Sequence, residues 1–126
     1  MNNWSRENII WAAGYLEGEG FFVISFHPYM SLHVGAESTD KENLGRLHSI
    51  FGVGKVGERS ARSNRLSKKP IYSYQVSSPH HVYAIAVAIY PFMSKRRKEQ
   101  LYKLATAFIY YDQYKLHVKE RIRRGK

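Results

Sequence analysis

The sequence predicts an α+β domain of the order αββαββα(α), with a four-stranded antiparallel sheet backed by helices. Two observations predict this class. Four short segments rich in β-branched and aromatic residues occur in two pairs, and segments with helical periodicity precede, separate and follow those pairs. The length predicts a single domain over residues 1–126, with a basic C-terminal tail from about residue 115.

Helix signals occur at four places in the chain. Ser5 can cap an apolar helix that ends at Gly20. Residues 38–51 carry an apolar stripe, and residues 78–93 begin with a Ser-Pro start signal. Residues 94–124 predict one long amphipathic helix or two shorter ones. The aromatic side chains of these last two segments are predicted to join the core.

Alternating side chains identify the strands. Residues 21–28 and 29–37 form the first pair, and residues 52–59 and 70–78 form the second. In the first pair, apolar residues alternate with small or polar ones. One face of the sheet is therefore predicted to pack on helices, and the other to carry polar and basic side chains.

The charge of the chain predicts a polyanionic partner. Twenty Lys and Arg against ten Asp and Glu give a net charge of +10. Residues 59–69 hold five basic side chains and no acidic one, and residues 95–98 are all basic. Clustered excess charge of this kind is typical of proteins that bind nucleic acid.

Composition also excludes several classes of protein. Cysteine is absent, so disulfides and thiolate metal sites are excluded. No stretch reaches the roughly 18 apolar residues of a membrane span. The N-terminus lacks the basic-then-apolar pattern of a signal peptide. We therefore expect an intracellular protein that does not enter a membrane.

The first helix breaks two rules near its C-terminal end. Gly14 and Gly18 lie inside it, although each interior glycine costs about 0.5–1 kcal/mol relative to alanine. Glu17 and Glu19 occupy the last turn, where the carbonyl groups already carry partial negative charge. The simplest explanation is close packing of the glycines within one subunit and acids that face solvent.

Packing against the same helix of a second subunit would explain both the glycines and the acidic residues. Bare glycine faces let two helix backbones approach closely. The pairing would bring together two Glu19 carboxylates, which with nearby helix-end carbonyls form an oxygen-rich site. Hard divalent cations such as Mg²⁺ bind sites of this chemistry.

Residues 12–20, "AAGYLEGEG", closely resemble the LAGLIDADG motif of homing endonucleases. The glycines at 14 and 20, the acids at 17 and 19 and the small residue at 18 all stand in register with it. The order of elements is similar too, as are "IFGVGKV" before the third strand and "YPFMSKRRKEQL" after the fourth. The resemblance covers most of residues 5–111.

The resemblance implies a homodimer that cuts pseudo-palindromic double-stranded DNA and serves the mobility of an intron or intein. It implies that each sheet forms a saddle in the major groove and that the motif helices meet at the two-fold axis. Glu19 would bind Mg²⁺ or another divalent cation such as Mn²⁺, with the Gly18 carbonyl nearby. Glu17 would support the helix end or its partner. The dimer interface would include Ala13, Gly14, Glu17 and Gly18.

Two further catalytic roles follow from the resemblance, each with an alternative. A basic side chain beside the reacting phosphate would be Lys95, or Arg96 if the alignment carries a one-residue gap. The side chain that orients water at the end of the second strand would be Glu37 or Ser38, where the family often has Gln or Asn.

A two-stranded ribbon can enter the major groove and read base edges. The predicted readers on the first hairpin are Ser25, His27, Ser31 and His33. Those on the second hairpin are Arg59, Arg62, Asn64, Arg65, Tyr72, Tyr74 and Gln75. The predicted DNA contacts outside the ribbons, mainly with phosphates, are Lys68, Lys69, Arg96, Arg97 and Lys98.

Two other functions fit the same scaffold. One is a DNA-binding regulator without catalysis, and the other is an RNA-binding intron maturase. Retention of an acid at Glu19 favours cleavage over the regulator, since a protein that only binds DNA has no need of it. It does not separate the nuclease from the maturase.

Overall fold

The computed structural model describes residues 3–26, 30–59 and 70–124, with the backbone alone for Arg59 and for residues 111–124. Four helices and four strands follow one another in the predicted order. Their bounds are α1 Arg6–Glu19, β1 Gly20–Ser25, β2 Ser31–Ser38, α2 Lys41–Phe51, β3 Lys55–Arg59, β4 Ile71–Val76, α3 Pro79–Ile89 and α4 Lys95–Arg124. The predicted α+β class is confirmed, and the last segment forms one continuous helix.

The four strands form one antiparallel sheet in the order β1-β2-β4-β3. Val23 pairs with His33, and Gln75 lies between Gly35 and Lys55. Because side chains alternate along a strand, these five residues share one face of the sheet. We call it the open face, since the helices pack on the other one.

The core lies between the helices and the second face of the sheet. The α1 side chains Ile9, Ala12 and Leu16 are buried there, as are Leu32 and Val34 of β2. All three other helices contribute buried apolar residues as well. The predicted division of the sheet into an apolar face and a polar face is therefore confirmed.

Helix ends follow the signals in the sequence. The Ser5 hydroxyl accepts a hydrogen bond from the Asn8 N–H at 3.2 Å and begins α1. Asp40 caps α2 by accepting from the Glu42 N–H at 3.0 Å. Gly52 ends α2 with a φ of 72°, a left-handed conformation that glycine adopts without steric cost.

Gly35 allows a close approach in the middle of the sheet. A Cβ at this position would collide with the Tyr74 carbonyl oxygen and would lie 2.7 Å from the Phe21 ring. No side chain fits there without a shift of the backbone. The glycine therefore permits β4 and the Phe21 ring to approach β2 this closely.

The prediction that the aromatic residues of the last helices join the core is wrong in part. Phe108 packs against the core, but Tyr90, Phe92, Tyr102 and Tyr110 are exposed. Among the described helices, none has the length and apolar character needed to cross a bilayer.

Candidate active site

Glu19 stands at the corner where α1 becomes β1. It is the last residue of the helix, and Gly20 begins the strand. Its side chain is exposed, and within the described residues it makes no hydrogen bond or ion pair. Continuing the β1–β2 register by one residue beyond the Gly20–Ala36 pair places it opposite Glu37. The corner therefore brings two acidic residues to the same side of the sheet.

Glu17, two residues earlier, has both carboxylate oxygens bonded within the chain. One oxygen accepts from the Ser94 N–H at 2.7 Å, and the other from the Ser94 hydroxyl at 2.8 Å. Ser94 immediately precedes α4, so the carboxylate meets the positive end of that helix. The Ser94 N–H and hydroxyl lower the pKa of Glu17, and Arg97 and Arg96 lower it further.

The pKa of Glu17 makes stability depend on pH. Since it is lower in the folded chain than its ordinary value of 4.5, ionised Glu17 stabilises the fold above that value. The contribution is lost as the pH falls through the folded pKa. We expect the free energy of unfolding in urea to fall more steeply between about pH 6 and about pH 3 in the wild type than in Glu17→Gln. Parallel curves would contradict this assignment.

Arg97 was predicted to bind phosphate, and that prediction is wrong. Its side chain is 8% exposed and reaches back to the end of α1. Nε donates to the Glu17 carbonyl at 3.1 Å, and Nη2 donates to the Gly20 carbonyl at 3.0 Å. Nη1 donates to Gln100 at 2.9 Å, and the Phe22 ring centroid lies 5.2 Å from the guanidinium carbon. The cation that the end of α1 lacks in sequence is thus supplied by α4.

The other basic residues of the α4 N-terminus face outward. Lys95 and Arg96 are exposed, and Lys98 is half-buried with its ammonium 5.4 Å from the Tyr90 ring centroid. Arg96 lies close enough to Glu17 to lower the pKa of its carboxyl group. The first turn of α4 therefore presents positive charge beside the end of the motif helix.

Of the two alternatives at the end of β2, Glu37 is the one on the open face. It pairs with Ser73 in the sheet and is exposed. The Ser38 hydroxyl accepts instead from the Asp40 N–H at 2.9 Å and so supports the start of α2. Geometry thus favours Glu37 for any role towards a ligand on the sheet.

Several predicted readers of DNA do share the open face. By register they are Ser25, Ser31, His33 and Gln75. One ring nitrogen of His33 lies 2.9 Å from the Ser77 hydroxyl, and the other lies 3.1 Å from Ser31 Oγ. Gln75 donates to Ser77 at 2.9 Å. These side chains form one connected polar network across β2 and β4.

The predicted placement of Tyr72 and Tyr74 on the groove side is wrong. Both share the parity of Val76 and therefore face the helices. Tyr74 is fully buried, its hydroxyl donates to the Val53 carbonyl at 2.7 Å, and burial raises its pKa. Predicted contacts that lie outside the described residues are His27, Arg62, Asn64, Arg65, Lys68 and Lys69, together with the side chain of Arg59.

The buried position of Tyr74 gives a prediction. Tyr74→Phe leaves the Val53 carbonyl without its partner, which costs about 1–3 kcal/mol. We expect that loss in urea unfolding and no change in DNA affinity at constant salt. A large drop in affinity without a loss of stability would restore Tyr74 as a reader.

The exposed face of α1 is free of side chains where the glycines lie. An ideal Cβ built on Gly14 or Gly18 meets nothing within 4 Å. The chain's own packing therefore does not require either glycine. Ala13 is fully buried, so its predicted place in a dimer interface is wrong. Glu17 lies beside the bare face, but its carboxylate is bonded to Ser94.

Three residues with roles in this region were not predicted from the sequence. Ser94 and Gln100 hold Glu17 and Arg97, and Ser77 joins His33 to Gln75. The bonds of Ser94 to Glu17 and of Ser77 to His33 join residues that are 77 and 44 positions apart, so no local pattern marks them. Gln100, in contrast, lies only three residues after Arg97 on the same helix. Lys55 also faces the open side by register, which the alternation of β3 could have predicted.

Known structures resemble this arrangement, although sequences do not. No protein-family model matches the sequence, and no curated protein matches it. The homing endonuclease I-CvuI bound to its target matches 82% of the chain with a TM-score of 0.65 and 15% identity. The homing endonuclease I-TnaI matches 98% with a TM-score of 0.69 and 15% identity. The LAGLIDADG meganuclease I-AabMI bound to uncleaved DNA matches 92% with a TM-score of 0.69 and 17% identity.

The chain has the LAGLIDADG fold. The matches confirm, at the level of the fold, the family resemblance carried by residues 12–20. The chain spans 84% of I-TnaI, 66% of I-CvuI and 41% of I-AabMI. In this LAGLIDADG fold, the motif helix ends at the corner that carries Glu19.

Proposed function

We propose that the chain is one subunit of a homodimeric, metal-dependent endonuclease that cuts a specific double-stranded DNA target. The observation that carries the proposal is the placement of Glu19. It is an exposed acid with no partner among the described residues, between a bare glycine face and the polar open face of a sheet. Its neighbour Glu17 is fully bonded, so the two acids have separate tasks.

The donor groups at the corner suit a hard divalent cation such as Mg²⁺ or Mn²⁺. Glu19 would supply a carboxylate oxygen, and Gly18 would supply one of the last carbonyls of α1, which have no partner within a helix. A bound cation of this kind acidifies a coordinated water and stabilises charge on a phosphoryl oxygen. No three acidic or histidine side chains converge in the described part of one chain. A second subunit would double the number of acids.

The remaining roles belong to residues around the corner. Glu37 would accept a proton or a hydrogen bond from water near the scissile phosphate. Lys95 or Arg96, exposed at the start of α4, would offset charge that develops on the phosphoryl oxygens. The neighbours support DNA as the substrate, since I-CvuI is bound to its target and I-AabMI to DNA.

DNA contact is assigned to the open face. A net charge of +10 favours a phosphate backbone without regard to sequence. Gln75 and His33, on the open face, would meet base edges if the strands β2 and β4 entered the major groove. Lys55, on the same face, would add a cation near the far end of the sheet.

Selection from a randomised duplex library tests the proposal and identifies the target in the same experiment. Duplexes that the protein retains in Ca²⁺ are sequenced and then incubated in Mg²⁺ or in EDTA. We expect a site with two related half-sites, cut on both strands in Mg²⁺ and intact in EDTA. Specific binding without cutting would indicate a regulator, and preference for a structured RNA would indicate a maturase. Either result would overturn the nuclease assignment.

A further inference from the structure

Two helices that are distant in sequence cap each other at the candidate active site. Glu17, in the last turn of α1, accepts from the N–H and the hydroxyl of Ser94 at the start of α4. Arg97, in the first turn of α4, donates to the carbonyls of Glu17 and Gly20 at the end of α1. We call these three residues, Glu17, Ser94 and Arg97, the corner clamp.

The clamp holds the Glu19 turn from both sides. One guanidinium binds the carbonyl two residues before Glu19 and the carbonyl one residue after it. The guanidinium is itself fixed by Gln100 on its own helix and by the Phe22 ring beneath it. The turn that carries Glu19 therefore cannot move relative to the first turn of α4 without breaking charged hydrogen bonds.

We propose that Arg97 is a positioning residue for metal-dependent cleavage, and this inference rests on the proposed function. Through the clamp, Arg97 sets the placement of the Glu19 carboxylate relative to Lys95 and Arg96, which begin the same helix. The metal-binding carboxylate and the basic side chain that faces the phosphate must keep a fixed relative position. A shift of about 1 Å at a reacting centre can lower the rate about 10²-fold.

A lysine cannot replace this arginine. The planar guanidinium offers Nε and Nη2 to two carbonyls in one fixed geometry, whereas an ammonium is a point charge on a flexible stem. Arg97→Lys keeps the positive charge beside the end of α1 but loses the fork. The lysine variant therefore distinguishes two roles of Arg97, which are to position the Glu19 turn and to neutralise the partial negative charge at the end of α1.

The test compares Arg97→Lys with Arg46→Lys as a matched control. The guanidinium of Arg46 lies 3.9 Å above the Trp11 ring, so it also joins a neighbouring helix to α1, but away from the corner. Both variants are measured by thermal unfolding, by DNA binding in Ca²⁺ and by single-turnover cleavage in Mg²⁺ of the selected duplex. We expect Arg97→Lys to bind within about threefold of wild type and to cleave about 10²-fold more slowly. Arg46→Lys is expected to cleave at the wild-type rate.

A purely structural role predicts a different pattern. Cleavage by Arg97→Lys would then fall only with the folded fraction, and additional Mg²⁺ would not alter the ratio to wild type. The cleavage rate of each protein is also measured as a function of Mg²⁺ concentration. If the midpoint of this titration lies at a higher concentration for Arg97→Lys than for wild type, the Glu19 carboxylate is displaced and the positioning role is supported. Cleavage equal to that of Arg46→Lys would overturn the inference.

Failure of the proposed function gives a separate signal. If the wild type cuts no duplex, the clamp is tested by Mn²⁺ alone, through paramagnetic broadening of backbone amide signals. We expect broadening of Gly18–Gly20 together with Lys95 and Arg96 in wild type, and a changed ratio of broadening between the Glu19 turn and the α4 residues in Arg97→Lys. A ratio that is the same in wild type and in Arg97→Lys would overturn the clamp inference.

Discussion

Glu19→Gln is expected to bind the selected duplex with wild-type affinity and to cut it at least about 10³-fold more slowly. The amide keeps the shape of the side chain and removes the charge that attracts a divalent cation. Metal-ion catalysis supplies several kcal/mol of transition-state stabilisation, and each 1.36 kcal/mol corresponds to a factor of ten in rate. Since Glu19 has no partner among the described residues, its replacement should leave stability unchanged.

The matched control is Glu42→Gln, which removes an equal charge from an exposed site in the first turn of α2. It should cut DNA at the wild-type rate. Glu17→Gln gives an informative third case, because an amide can still accept from the Ser94 N–H and donate to the Ser94 hydroxyl. We expect a smaller loss of rate than for Glu19→Gln. Equal loss in both variants would mean that the two acids do not have separate roles.

The order of elements could be predicted because each one carries its own local signal. The alternation in β2 and β4 and the caps at Ser5 and Gly52 depend on residues that are near one another in the chain. Contacts such as that of Glu17 with Ser94 join residues 77 positions apart. No local pattern specifies such a contact, so it could not be predicted from the sequence and became visible only in the folded chain.

Arg97, however, was misassigned despite a usable signal. A run of four basic residues suggested contacts with phosphate, but Arg97 precedes Leu101 and Leu104 by four and seven positions. Helical periodicity places all three on one stripe, and all three are buried. Composition outweighed periodicity in that prediction, although periodicity decides which member of a charged run faces inward.

Two further errors have the same origin. Ala13 follows Ile9 by four positions and so belongs to the buried stripe, although small residues on either side suggested one bare surface. Tyr74 alternates with Gln75, so the two cannot share a face of the sheet. In both cases residue type suggested a role that the position in the repeat excludes.

Gly18→Ala is expected to stabilise the isolated subunit and to weaken its dimer. The new methyl group meets nothing within 4 Å in one subunit, and alanine is favoured over glycine in a helix by about 0.5–1 kcal/mol. At a helix crossing the same methyl group must be accommodated twice. Overpacking costs about 1–3 kcal/mol per site, so with two sites the dissociation constant should rise about 30-fold or more.

Gly45→Ala is the control that isolates the interface. Gly45 lies inside α2, is exposed, and has nothing within 4 Å of an ideal Cβ, so the substitution should stabilise the subunit to a similar extent. Sedimentation velocity over a concentration series then compares association in wild type and both variants. If Gly18→Ala and Gly45→Ala dimerise alike, another surface holds the copies together. If only the Gly18→Ala dimer dissociates, the glycine at this position serves the dimer interface, although it lowers the stability of the single subunit. The Glu19 residues of the two subunits would then come together because the bare glycine face lets the two α1 backbones pack closely.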